Sequence, residues 1–172
     1  MVENYLIVRH GHTLTGKRLS EKGRGQMIQL GITMRDGLNL HGRQTAIFYA
    51  PSPRGEESSE VLEAFLPHTR IIRVKELWTG MDKPQGLESS VISADIRIQS
   101  MEIRRSNYII IGDEETTSNY PAYITNAIMK QRLPFEELKH GEAYWLNQHI
   151  MVWERLPDGK QIYVPRTILV KP

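Results

Sequence analysis

The stretch Asn4-Tyr5-Leu6-Ile7-Val8-Arg9-His10-Gly11-His12-Thr13 changes character halfway along. Tyr5 to Val8 is an apolar run without polar alternation, which predicts a strand covered on both faces. Strands of that kind belong to α/β sheets, whose ligands bind beyond the carboxyl ends of the strands. Arg9, His10 and Gly11 therefore fall where such a sheet does its chemistry. Arginine supplies a rigid fork of donors that matches phosphate or carboxylate oxygens. Histidine supplies a nucleophilic ring nitrogen near neutral pH, and glycine lets a ligand approach the backbone.

Outward from this strand, helix and strand signals alternate. Leu19 to Leu38 predicts a helix with Ser20 as N-cap and Met27, Leu30, Ile32 and Met34 on its buried face. Thr45 to Ala50 predicts a second strand, Glu56 to Leu66 a helix ending before Pro67, and Ile71 to Val74 a third strand. Thr79 to Gly86 has loop composition, and Leu87 to Met101 a helical pattern. Asn107 to Gly112 repeats the opening pattern of an apolar run with polar residues at its end. A helix is expected between Tyr120 and Gln131, with Pro121 in its first turn. Glu142 to Leu156 and Lys160 to Val170 flank the turn signature Leu156-Pro157-Asp158-Gly159 and predict a hairpin. The expectation is a single α/β domain over residues 1–172. It is a three-layer sandwich: a mostly parallel central sheet flanked by helices, with antiparallel strands at the C-terminal edge.

Bulk properties narrow the function classes. The chain has 172 residues, 40% hydrophobic and 24% charged, enough for a substantial core. A net charge of +2 is too small to argue for a nucleic-acid partner. With no cysteine, disulfides and thiolate metal sites are excluded. No run approaches about 20 apolar residues, so no membrane partner is expected and the chain reads as cytoplasmic. None of the six histidines has the His-x-x-x-His spacing of a helical zinc site. Gly23-x-Gly25 lacks the strand-turn-helix setting of a dinucleotide fingerprint, and no Gly-x-Ser-x-Gly elbow occurs. No metal and no cofactor are predicted.

Four stretches fall into one order: Leu6-Ile7-Val8-Arg9-His10-Gly11-His12-Thr13, Leu19 to Gln26, Ala50 to Leu62, and Val74 to Gly80. This order resembles the histidine phosphatase superfamily, also called phosphoglycerate-mutase-like. The matching elements are Arg-His-Gly after the first strand, Leu-Ser-x-x-Gly-x-x-Gln opening the first helix, and a Ser-Pro turn with an arginine. The chain's shortness is most similar to the phosphohistidine-phosphatase type. The resemblance implies a phosphomonoesterase that works through a phosphohistidine on His10. It implies phosphate binding by Arg9 and Arg54, with Gly11 and His12 beside them, and proton donation to the leaving alcohol by Glu76. The implied partner is a phosphorylated small molecule or phosphoprotein; oligomeric state is not readable.

Two departures stand out. Arg54 follows Ser52-Pro53 directly, where the family usually has intervening residues, so a structural role at the helix start is the alternative for its guanidinium. Where the family has a second histidine after a strand, this chain has Asp113, and no histidine occurs between His68 and His140. At ~4 Å and an effective dielectric of ~20, a carboxylate and a phosphate charge repel by about 4 kcal/mol. Asp113 must then be protonated, paired with arginine or turned away, or ordinary turnover is lost. The alternative expectation is a catalytically impaired pseudophosphatase, a phospho-ligand-binding or regulatory module. His140 and His149 lie in the tail; that one of them reaches the site in trans or by folding back is an open alternative that nothing in the sequence shows.

Overall fold

The computed structural model describes residues 2–15, 17–87, 89–129, 135–155 and 161–172. In chain order the elements are β1 (Asn4–Arg9), α1 (Glu21–Ile32), β2 (Thr45–Tyr49), α2 (Pro53–Phe65), β3 (Arg70–Arg73), α3 (Val91–Ser100), β4 (Asn107–Gly112), α4 (Glu114–Met129), β5 (Ala143–Arg155) and β6 (Gln161–Val170). They build one six-stranded sheet in the order β3-β2-β4-β1-β5-β6. The first four strands of that order run parallel; β5 is antiparallel to both β1 and β6. The mixed α/β sandwich with an antiparallel C-terminal edge is the architecture the pattern predicts.

The apolar run of β1 has its explanation in the two faces of the sheet. Tyr5 and Ile7 pack on one side with Ala94 and Ile98 of α3 and Tyr120 and Ile124 of α4. Leu6 and Val8 pack on the other with Met27 and Leu30 of α1 and Val61 and Leu62 of α2. Leu6, Ile7 and Val8 have no exposed surface at all. Each such side chain contributes about 1.5–3 kcal/mol of burial. The cost of moving β1 is therefore high, and its end is a rigid platform.

Helix starts differ from the expectation in instructive ways. α2 begins at Pro53, not Glu56, because Ser52 caps it by accepting the Gly55 N–H at 3.2 Å and proline suits the first helical position. α3 begins at Val91 behind the cap Ser90, later than Leu87. α4 begins at Glu114, and Pro121 lies inside it rather than opening it. Acidic Glu114 and Glu115 favour the helix N-terminus, and Thr117 Oγ1 donates to the Asp113 carbonyl at 3.0 Å. Those start signals outweigh the missing N–H of the proline. The hairpin turn Leu156–Gly159 lies outside the described residues. Among the described residues no helix is long and apolar enough to cross a membrane.

Candidate active site

Sheet order puts three chain ends side by side. β1 and β4 are neighbours in parallel register with Arg9 opposite Gly112, so His10 and Asp113 leave the sheet together. β2 lies on the other side of β4 and feeds α2, whose second residue is Arg54. This is the carboxyl edge where α/β sheets hold ligands.

The loop after β1 is sealed against α1. His12 N–H donates to Gln26 Oε1 at 3.0 Å, Ser20 Oγ donates to the His12 carbonyl at 3.1 Å, and the same oxygen accepts the Gly23 N–H at 3.0 Å. A Cβ on Gly11 would lie 2.4 Å from the Gly23 carbonyl oxygen, and one on Gly23 would lie 2.0 Å from that of His12. The Leu-Ser-x-x-Gly-x-x-Gln pattern is thus a clamp: cap, close approach and side-chain acceptor in one helix turn. Gly11 N–H also reaches Ser58 Oγ at 3.4 Å.

Within that clamp His10 is 7% exposed and has a defined tautomer. Its Nδ1 lies 2.8 Å from the Gly11 carbonyl, which only accepts, so Nδ1 carries hydrogen. Nε2 is the nitrogen left for chemistry. It faces Asp113 Oδ1 at 3.3 Å.

Asp113 points into the site and is arginine-paired. Its Oδ1 accepts from Arg54 Nε at 2.8 Å and lies 2.7 Å from Nη2, while Oδ2 accepts the Gly80 N–H at 2.9 Å. Burial pushes the Asp113 carboxyl up, but His10 and Arg54 together hold it below the usual carboxylate range. Arg54, buried despite its shortened turn, also holds Asp82 through Nη1 at 2.7 Å and Nη2 at 2.8 Å. Asp82 further accepts from Trp78 Nε1 at 3.2 Å. The Arg54 bonds lower its pKa to about 2.

Arg9 is the second fork. Its Nη1 donates to Glu137 Oε1 at 2.8 Å and to the Leu138 carbonyl at 2.6 Å, and Nη2 donates to Glu114 Oε2 at 2.8 Å. Its Nε is buried without a hydrogen-bond partner among the described residues. His10, Arg9, Arg54 and Asp113 line one open cleft of about 700 Å³, together with Lys17, Asp82, Glu114 and Glu115. Glu76 sits half-buried in the short turn Lys75–Leu77 and is not among the residues lining that cleft. Gly11 and His12 support the cleft from behind rather than line it. No group of three or more metal-ligating side chains occurs among the described residues.

Two residues to which the resemblance gives no role stand at the site. Asp82 is one. The other is His140, whose ring centroid lies 5.4 Å from that of His10 and 5.6 Å from that of His12. Burial, then the charges of Arg9 and of the two other histidines, pull its pKa down to about 4, so it is neutral near pH 7. It is held there by the next residue: Gly141 N–H points at the carbonyls of Arg9 and His10 at 3.1 and 3.2 Å, with φ of 77°. The hairpin strand β5 runs antiparallel to β1, so residues just before it must lie at the end of β1.

No known family's sequence profile matches the chain, and no curated protein matches it. Solved structures do. The protein histidine phosphatase SixA complexed with tungstate superposes with a TM-score of 0.63 at 13% identity, covering 93% of each chain. The SixA structure from Agrobacterium tumefaciens gives 0.63 at 9% identity, covering 98% of this chain and 99% of that one. A mycobacterial glucosyl-3-phosphoglycerate phosphatase in complex with VO3 gives 0.56 at 13% identity, covering 99% and 98%. At these identities the likeness is one of fold, and the fold is that of the histidine phosphatases.

Proposed function

We propose that the protein is a phosphomonoesterase that forms a phosphohistidine on His10. The observation that carries this is the Nδ1 bond to the Gly11 carbonyl, which fixes the tautomer and leaves Nε2 for chemistry on a ring that lines one open cleft with Arg54. Phosphoryl transfer asks for in-line positioning and charge neutralisation, and little else.

Asp113 stands where the resemblance expects a second histidine, and in this mechanism Nε2 and the Asp113 carboxyl, 3.3 Å apart, share one proton. As Nε2 attacks phosphorus, that proton passes to Asp113. The neutral carboxyl then donates to a phosphoryl oxygen, the task a histidine would do. Asp82 occupies the Arg54 fork as two phosphoryl oxygens would, so substrate displaces it. Off Arg54 and beside a phosphate dianion, Asp82 loses the bonds that lower its pKa and gains a like charge that raises it. It thereby takes up a proton from solvent as substrate binds and gives it to the departing alcohol as the P–O bond breaks. It then takes one from the water that attacks the phosphohistidine; phosphate leaves, and Nε2 recovers its proton from Asp113. The resemblance gave proton donation to Glu76; Asp82, on the cleft wall, is the better placed carboxyl.

Rapid quenching after mixing with an aryl phosphate should trap phosphate in an acid-labile, base-stable bond, and His10→Ala should abolish both trapping and turnover. A variant with most of the parent's activity would place the nucleophile elsewhere. The second reading, a pseudophosphatase that binds a phospho-ligand, is favoured by the same Asp113 contact on Nε2. Asp113→His separates the two. In a dormant site it should raise neutral-pH turnover by up to about a thousandfold, the equivalent of the ~4 kcal/mol repulsion. In the working mechanism above it should lower turnover instead.

A further inference from the structure

Beyond the cleft, its wall continues through Thr79 and Glu115 into a second hollow of about 280 Å³ between the start of α3 and the flank of α4. We infer that this hollow takes the leaving group, and that the substrates are phosphate esters of neutral, partly apolar alcohols of about one or two rings. The inference rests on the phosphomonoesterase reading and gives that reading a substrate class.

In-line transfer puts the leaving oxygen on the side of phosphorus opposite His10, so the alcohol lies along the cleft wall. The connection is short in the chain. Glu115 is two residues from Asp113, and Thr79 adjoins Gly80, whose N–H holds Asp113. The lining then sets the chemistry. Val91, Ile92, Ala122 and Tyr123 present apolar surface, and Ser90, Asn119 and Asn126 add neutral hydrogen-bonding groups. Among the described residues no lysine, arginine or histidine lines it, and the one charged residue there is Glu115 at the junction. A carboxylate or second phosphate on the alcohol would find no counter-charge and would meet a like one. Ile92 is 58% exposed, an apolar side chain that a ring would cover. Small-molecule sites have this make-up, mostly apolar with a few convergent polar groups.

The test compares kcat/KM for 2-naphthyl phosphate, phenyl phosphate and phosphoglycolate. Naphthyl over phenyl should be favoured by about tenfold or more, as expected for covering an added ring. Phosphoglycolate should be the poorest. Ile92→Asp should cut the naphthyl-to-phenyl ratio, and Ile92→Lys should raise phosphoglycolate relative to phenyl phosphate. Ile96→Asp is the control, because Ile96 is exposed one turn further along α3 and outside the lining. A second arm does not depend on turnover: binding of 2-naphthol to the His10→Ala protein, followed by NMR, with and without Ile92→Asp. Naphthol binding that Ile92→Asp weakens supports the hollow even if no ester is hydrolysed, in which case the phosphatase reading alone fails. Equal kcat/KM for the three esters, or naphthol binding indifferent to Ile92→Asp, overturns the inference.

Discussion

The two arginines of the cleft are each held by carboxylates, yet their partners are of different kinds. Arg9 bonds Glu114 and Glu137, whose side chains are 57% and 55% exposed. Arg54 bonds Asp113, which is 8% exposed, and Asp82, at 33%. Exposed ion pairs contribute little and yield readily, because water and salt compete for both members. A buried pair is different: removing one member strands the other's charge. Arg9 is therefore a fork already open to exchange, and Arg54 is a fork with one permanent and one removable occupant. The cleft is organised around the second.

The largest break of this contrast is Arg54→Ala. It leaves Asp113 buried with the Gly80 N–H and the His10 ring as its remaining partners. A loss of about 3–5 kcal/mol in unfolding free energy is expected, as for other broken buried pairs. Turnover should vanish with the fork. Urea unfolding at neutral pH measures the first. The sign with pH follows from Asp113, whose pKa the folded state depresses. Its stabilising contribution is present above the ordinary carboxylate pKa and disappears as pH falls through the depressed one. The gap between parent and variant should therefore shrink in acid. An Arg54→Ala protein as stable as the parent at pH 7 would mean the pair contributes nothing.

How far the sequence carries depends on which of these regions is read. The sheet, both of its covered faces and the Ser20 cap of α1 are legible because each rests on local signals, apolar runs and a capping serine, whereas the contacts of Gly11 and Gly23 that close the clamp emerge only in the fold. Arg54 sat behind a turn that looked too short, and its reach became clear only with Ser52 and Pro53 seen as the start of a helix. The places of Asp82 and His140 are not legible in the sequence, for a different physical reason. Both arrive from loops whose course is set by long-range bonds, Asp82 by Arg54 across the cleft and His140 through Gly141 on the β1 carbonyls. No local periodicity encodes such contacts. The α4 start differs from the expectation because proline is normally a boundary, and here acidic first-turn residues prevail over it.

Asp82→Asn tests whether the second occupant of Arg54 is removable. An amide competes less well for a guanidinium than a carboxylate does. Inorganic phosphate and vanadate should bind about tenfold more tightly, roughly 1.4 kcal/mol. Turnover should split by leaving group: alkyl phosphates, which need a proton, slow down, whereas p-nitrophenyl phosphate is little affected. A purely structural role for Asp82 would slow both alike. Because the Asp82 pKa is held at about 2, its bond to Arg54 persists at mild acidity. The stability it lends is present above pH 4 or so, the unfolded value, and fades as pH falls through about 2. Parent and variant melts should therefore converge only below about pH 3, between those two values.

The smallest effect belongs to Arg9. Glu137→Gln removes one exposed carboxylate, while Arg9 Nη1 keeps the Leu138 carbonyl and Nη2 keeps Glu114. Stability should change by less than about 1 kcal/mol, the usual worth of an exposed pair. Phosphate affinity should rise by no more than a few-fold, since the fork was only loosely held. That rise should fade with added salt, because screening already weakens the pair in the parent. Titrating vanadate into parent and variant at low and high ionic strength measures both quantities. If Glu137→Gln tightened vanadate as much as Asp82→Asn at high salt, Arg9 would be as firmly occupied as Arg54. The two forks would then be equivalent, and exposure of the partner would not be what sets which arginine a phosphate claims first.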